Sequence, residues 1–325
     1  MIVQRRQLLR LAGGLAILPL LSRAAQAQAY PSRPVKILVG YSAGGGVDIT
    51  ARLIGQWLSS RLGQQFVVEN RTGAATNIAT ETMIRSPADG YTLLLTNAAN
   101  AINATYYDKL NFDFVRDTAA VSSIMSVPFV MVVNPSASYK TVPELIAFAK
   151  ANPGKINCGS GGAGGPDHGS LELFKMLTGT NIVHVPYRGL APAVQDLIGG
   201  QIQLVFSTIP AAIGHIKGGK LRSLAVTTKS RSQTLPDVPP VGDFVKGFDS
   251  QQWYGLSAPK GTPPDIIATL NKEVRAALDD DKMKSRIADL GGDPMSMTAA
   301  QFGKFVVDET EKWGKVIKVA GAKAK

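Results

Sequence analysis

One stretch constrains this chain more than any other: Val35-Lys-Ile-Leu-Val-Gly-Tyr-Ser-Ala-Gly-Gly-Gly-Val-Asp-Ile-Thr-Ala-Arg52. An apolar run passes directly into Gly44, Gly45 and Gly46, and then into a segment with Ile49, Leu53, Trp57 and the Ile54/Leu58 pair on one helical face. That pattern predicts strand, glycine turn, helix. Such a turn leaves backbone N–H groups unpaired, and the positive end of the helix dipole adds to their pull on an anion. The rest of the chain must show which anion, and what else holds it.

The same rhythm recurs. Strand Val35–Val39 leads to a helix over 49–62. Phe66–Glu69 runs through Asn70-Arg-Thr-Gly73 into a helix over 74–85, and Pro87-Ala-Asp-Gly90 turns into a buried strand, Tyr91–Thr96. Alternating strands and helices imply a parallel sheet with ligands beyond the carboxyl ends of its strands. Those ends are the polar or glycine-rich loops 40–46, 70–75 and 96–100. A long apolar run, Val121–Val133, broken by Pro128, reads as a crossover into a second unit.

That unit repeats the pattern: helix 143–151, strand Ile156–Cys158, a glycine-rich loop Gly159–His168, helix 169–178, strand Ile182–Val185, turn Pro186–Gly189, helix 191–198 and strand Ile202–Phe206. Leu221–Thr227 and Trp253–Ala258 read as the return crossing and a strand that pairs with it. Thr262-Pro-Pro-Asp265 and Thr298 with Gln301 start the last two helices. The expected fold is α/β, with two domains, each a mixed, mainly parallel sheet flanked by helices. Residues 30–127 and 226–325 form the first domain, 128–225 are inserted as the second, and two crossover strands make the hinge.

Residues 1–29 are left out of that fold. Gln4-Arg5-Arg6-Gln7-Leu8-Leu9-Arg10 is basic, Leu11 to Leu21 is apolar, and Ala25-Gln26-Ala27 or Ala27-Gln28-Ala29 suits signal peptidase. The apolar core is too short to span a bilayer, so an export signal is expected, by the general secretory or the twin-arginine route. Without this segment and its four arginines the formal charge falls from +11 to +7. Much of the excess lies at Lys312, Lys315, Lys318, Lys323 and Lys325, which read as a solvated helix end, and no basic-aromatic run suggests nucleic acid. The single Cys158 excludes an intramolecular disulfide, and with three dispersed histidines it leaves no zinc-type ligand set.

Several motifs compete for the chemistry. Gly159-Ser-Gly161-Gly-Ala-Gly164 is a literal G-x-G-x-x-G, but the place of the acid a dinucleotide site wants carries Pro186-Tyr187-Arg188. Neither glycine loop ends in the Gly-Lys-Ser/Thr of a nucleotide P-loop. Ser160 has Cys158 where a nucleophile elbow needs glycine, and Asp167, His168 and Ser170 share one helix turn, which is not the convergent geometry of a triad. His168 reads either as a polar wall of the cleft or as a helix-start hydrogen-bonding group; His184, inside an apolar strand, reads as structural. Asp48 lies four residues from Arg52 on one helical face, so an ion pair is the plainer account than catalysis.

Together these residues resemble a known family. Pro34–Arg52 resembles the first motif of the Bug-type extracytoplasmic solute-binding receptors of tripartite tricarboxylate transport systems. Asn70-Arg71-Thr-Gly73-Ala, Ala88-Asp-Gly-Tyr-Thr-Leu, Val185-Pro-Tyr-Arg-Gly189, Gly219-Lys-Leu-Arg-Ser-Leu-Ala-Val226, Ala258-Pro-Lys-Gly-Thr-Pro263 and Glu311-Lys-Trp-Gly-Lys315 look like its later motifs, in the right order. The resemblance implies a two-domain periplasmic-binding-protein fold, type II-like, closing over a small carboxylate. It implies no enzyme activity, cofactor or metal, a monomer, and transient contact with membrane transporter subunits. Carried over residue by residue it points to Tyr41, Ala43, Gly44 and Gly45 in the first domain, and to Ser160, Gly161, Gly162, Ala163 and His168 in the second. Asn97, Asn100 and Ser207 occupy places that help set selectivity. Ala75 and Thr76 stand where glycines are frequent in relatives. A same-fold sensor, and an exported hydrolase using Ser160 or His168, are the alternatives.

Overall fold

The computed structural model describes residues 30–187, 189–232 and 234–323. The expected export signal and Arg188 lie outside these.

The first unit begins with β1 (Val35–Val39), α1 (Gly46–Leu62), β2 (Phe66–Asn70), α2 (Asn77–Ile84), β3 (Thr92–Asn97), α3 (Ala98–Tyr106) and a short α4 (Phe114–Asp117). The strand β4 (Thr118–Val133) then leads to α5 (Val142–Ala151), β5 (Asn157–Ser160), α6 (Pro166–Thr178), β6 (Val183–Pro186), α7 (Leu190–Ile198), β7 (Leu204–Thr208), α8 (Ile209–Lys217) and β8 (Arg222–Val226). The chain closes with β9 (Gln251–Pro259), α9 (Pro264–Asp279), α10 (Asp281–Asp289), β10 (Asp293–Pro294) and α11 (Ala299–Ala320).

The strand order β2-β1-β3-β9-β4-β7-β5-β6 explains where a ligand can sit. β1 has β2 on one side and β3 on the other, both parallel to it; β5 is flanked in the same way by β6 and β7. Each unit therefore reverses its winding at one strand, and a crevice opens at the carboxyl end of that strand. The two glycine-rich turns of the sequence follow β1 and β5, at the two switch points.

A single strand joins the units. β4 pairs antiparallel with β9 through Thr118–Pro128, then with β7 and β8 through Phe129–Val133. The apolar run read as a crossover is thus one continuous strand, and Pro128 falls where its partners change. Leu221–Thr227, expected to cross back, instead stays with the second unit as β8, because its apolar face packs with Val130 and Val132. The connection 227–250 makes the return and is tied back by Ser250 N–H donating to Thr227 O at 3.1 Å.

Other boundaries shift for local reasons. The helix read over 74–85 is a 3-10 turn, Ala74–Thr76, followed by α2, because Ala74, Ala75 and Thr76 all adopt positive φ (45°, 47° and 78°). The loop read over 96–100 opens α3 instead: Asn97 and Asn100 form a reciprocal capping box. The last helix begins as expected, with Thr298 and Gln301 forming a second such box. Its Trp313 packs on α6 so closely that a Cβ at Gly169 would lie 2.8 Å from the indole. Buried Glu309 accepts from both Trp253 Nε1 and Trp313 Nε1, at 3.1 and 3.0 Å.

Candidate functional site

Between the two switch points lies a cavity of about 330 Å³. Tyr41, Val47 and Ala75 line it from the first unit. Gly161, Gly162, Ala163, Gly165, Pro166, Asp167, Leu190 and Thr208 line it from the second, and Phe129, Gln252 and Tyr254 come from the joining strands. The arrangement of helices is its main electrostatic feature. α1, α6, α7 and α8 all begin at its edge, with N-caps Gly45, Gly165, Gly189 and Thr208, and none of the four has a side-chain cap. The positive ends of their dipoles lie toward this space, offset in α1 and α6 by the first-turn acids Asp48 and Asp167, while α6 and α8 each carry a proline at the start. Among the described residues no lysine or arginine lines the cavity.

Among the described lining residues the one acidic side chain is Asp167, in the first turn of α6. Its Oδ2 accepts the Gly161 N–H. Burial raises its pKa above the ordinary carboxyl value, against the pull of the backbone N–H groups of Gly161, Asp167 and His168. Gln252, only 8% exposed, carries an Oε1 with no hydrogen-bond partner, an acceptor available to a donor on a ligand. Burial also pushes the Tyr254 phenol up to about 12 and the Tyr41 phenol higher still, so both stay neutral donors.

The residues expected from the sequence divide into two groups. Tyr41, Gly161, Gly162 and Ala163 line the cavity. Ala43, Gly44 and Gly45 do not; they sit on an exposed turn. Gly44, at φ 84°, donates its N–H to Asp48 Oδ2 at 2.9 Å. Asp48 is otherwise held by Arg52 Nε and Nη2 and by Asn70 Nδ2, each at 2.9 Å. The expected Asp48–Arg52 pair is present, but it also occupies a donor that the sequence assigned to the ligand.

Asn100 does not line the cavity and is hydrogen-bonded within the scaffold. Its Oδ1 accepts from Asn97 N at 2.9 Å, and its Nδ2 donates to Thr76 and Thr80 hydroxyls at 3.2 and 2.8 Å. Asn97 is fully buried, caps α3 by accepting from Ala99 N, and receives a long hydrogen bond from the Tyr41 hydroxyl at 3.5 Å. It stands behind the cavity wall. Ser207 is fully buried with its hydroxyl on Thr208 O, and by strand phase the next residue, Thr208, takes the cavity side.

His168 resolves to its helix-start role. Its Nδ1 accepts the Gly164 N–H at 3.1 Å, which leaves the proton on Nε2, 3.5 Å from Glu172. Ser160 contacts a different histidine, with Oγ 2.6 Å from His184 Nε2. His184 stacks on His168 at 3.9 Å between centroids, and burial lowers its pKa to about 4, so it is neutral at pH 7. This serine–histidine contact does not make a hydrolase site: Ser160 is 1% exposed and does not line the cavity.

Glycine spacing around β5 has packing causes. A Cβ at Gly159 would lie 2.5 Å from Ile202, one at Gly165 2.7 Å from Asp167, and Gly164 holds φ 79°. Close approach at Gly159 and turn geometry at Gly164 account for two glycines of the G-x-G-x-x-G pattern, and the third, Gly161, lines the cavity. Asp167, Thr208, Gln252 and Tyr254 also line the cavity, though the sequence did not single them out for it. Only Asp167, adjacent to a glycine-rich helix start, had a local signal; Gln252 and Tyr254 arrive from a strand some 90 residues downstream of the β5 loop.

Two α/β units joined through β4, with switch-point loops and helix N-termini facing one cavity, define a two-domain periplasmic-binding-protein fold. Within that class the chain belongs to the tripartite tricarboxylate transporter family receptors, whose pattern matches residues 50–322. It is 36% identical to the protein BugT of Bordetella pertussis over 302 residues, 92% of this chain and 93% of that one. The solved structure of R. palustris Rpa4515 with adipate superposes with a TM-score of 0.79 at 35% identity, covering 90% of this chain and 99% of the other. MatC (Rpa3494) from Rhodopseudomonas palustris with bound malate gives 0.76 at 28% identity, covering 89% and 100%.

Proposed function

We propose that this protein is a non-enzymatic receptor of the periplasm that captures a small carboxylate between its two units and presents it to membrane subunits of a tripartite transporter. The observation that carries this reading is a cavity at both switch points, with the starts of four helices that lack side-chain caps around it and, among the described residues, no lysine or arginine in its lining. Fixed N–H groups solvate an anion with little reorganisation, and exclusion of water strengthens the contact. The adipate and malate held by similar proteins are both carboxylates, which supports the same chemistry here.

In this reading Tyr41, Gly161, Gly162 and Ala163 contact the ligand, and Asp167, Thr208, Gln252 and Tyr254 complete the contact set. Residues 30–127 and 226–325 move as one body against 128–225, about β4 near Pro128 and the 227–250 connection. Residues 1–29 direct export, and the mature protein works as a monomer. Among the described residues no helix is long and apolar enough to cross a membrane.

Thermal denaturation with a panel of mono-, di- and tricarboxylates tests the proposal. A ligand at a hundred times its Kd stabilises by about 2.7 kcal/mol. If no carboxylate raises the midpoint, or if a stabilising compound is turned over and Ser160→Ala abolishes turnover, the receptor reading fails.

A further inference from the structure

A second cavity, of about 450 Å³, adjoins the first and shares Thr208 and Tyr254 with it. Its walls are Ile49 on α1, Met125 and Val127 on β4, Pro210 and Ala211 on α8, and Leu290 just after α10. We propose that this chamber receives the apolar body of the ligand whose carboxylate lies in the first cavity. The protein then selects monocarboxylates with an aromatic or branched body over short di- and tricarboxylates. This rests on the carboxylate reading above and adds to it the class of carboxylate.

Charge argues against a second carboxylate in the chamber. Two helices start there, α1 at Gly46 and α8 beside Thr208, and the positive end of each is already offset. In the first turn of α1 the ionised Asp48 already supplies a negative charge, and its carboxylate takes the Gly44 N–H. In the first turn of α8, Pro210 has no N–H to give. The other polar lining residue is Asp289, again an acid, whose carboxylate is two-thirds exposed at the rim with Arg286 3.8 Å away. Among the described residues no lysine or arginine lines the chamber. A carboxylate placed among these apolar walls loses hydration without gaining a partner, whereas a hydrocarbon body gains by leaving water.

The shared residues shape the passage. A Cβ built on Gly46 would meet the Tyr254 hydroxyl at 3.4 Å, so the glycine keeps the way open beside that phenol. Tyr254, 7% exposed, borders both cavities and offers its ring to the body and its hydroxyl to the head of one ligand.

Isothermal titration of the mature protein with phenylacetate, acetate, succinate and citrate tests the assignment. Phenylacetate is expected to bind at least about tenfold tighter than each of the other three. Ala211→Phe, which fills the chamber, is expected to weaken phenylacetate by about tenfold or more and to change acetate by less than about threefold. Ile49→Asp, at an exposed position on α1, provides the same comparison should the first variant not fold. Tighter binding of succinate or citrate than of phenylacetate, or phenylacetate affinity unchanged in both variants, overturns the chamber assignment while leaving the carboxylate reading standing. Failure of all four to bind, with no response to any other carboxylate, overturns the carboxylate reading itself.

Discussion

Gly44 donates its backbone N–H to Asp48 Oδ2 at 2.9 Å, and this contact engages the first of the three turn glycines within the protein itself. Asp48 is 2% exposed, and the Arg52 guanidinium, with help from Gly44 and Asn70, holds its pKa near 2. Its folded value lies below its unfolded one, so the stability it contributes is complete above about pH 4 and is lost as pH falls toward 2. Arg52 is half exposed, which limits the effect. Asp48→Asn is expected to cost about 1–2 kcal/mol at pH 7 and almost nothing at pH 2, measured by urea unfolding at both.

The same contact separates two glycine variants. Gly161→Val places carbon against Leu190 N and Asp167 Oδ2, which a Cβ would approach to 3.3 and 3.4 Å, and so closes the cavity wall. It is expected to reduce carboxylate affinity about a hundredfold with near-ultraviolet dichroism unchanged. Gly44→Ala strains a positive φ on an exposed turn and is expected to cost about 1 kcal/mol of stability while changing affinity less than about threefold. Equal losses of affinity in the two would show that both turns hold the ligand.

Ala74, Ala75 and Thr76 keep the left-handed conformation that glycine adopts freely. Asn103 Nδ2 clamps Ala75 O at 2.6 Å, and Thr80 with Asn100 holds Thr76. Each non-glycine residue in this region costs about 1–2 kcal/mol, partly offset by the greater freedom of an unfolded glycine. Ala74→Gly, on the side away from the clamps, is expected to stabilise the protein by about 0.5–1 kcal/mol in chemical denaturation. A loss of stability would mean that the turn is not strained.

His184 makes a second pH-dependent contribution. Burial, with His168 stacked against it, lowers its pKa from 6.5 to about 4. The unfolded chain takes up the proton first, so stability is complete above about pH 6.5 and declines as pH falls to 4, by about 2 kcal/mol. His184→Gln is expected to flatten that limb, read from urea midpoints at half-unit pH intervals. Persistence of the full decline in the variant would place its origin elsewhere.

Much of the architecture was legible because its signals are local. Helical stripes, glycine turns and the Thr298–Gln301 cap are properties of a dozen residues, and they placed most helices and strands to within a few positions. Strand phase was not legible to one residue, so Ser207 was chosen where Thr208 reaches the cavity. Capping was not legible across the Asn97–Asn100 turn, because its stability depends on Thr76 and Thr80 some 20 residues earlier.

By itself the sequence determined two strand–glycine–helix units, an anion-directed character for their turns, and a set of motifs that marks the family. Tertiary structure alone decided which N–H groups remain free for a ligand. The Gly44 donor goes to Asp48 and the Gly164 donor to His168, while Gln252 and Tyr254 reach the cavity through β9, which pairs with β4 far from either turn in the chain. A donor is available only where no neighbour has taken it, and those neighbours are set by packing between distant segments.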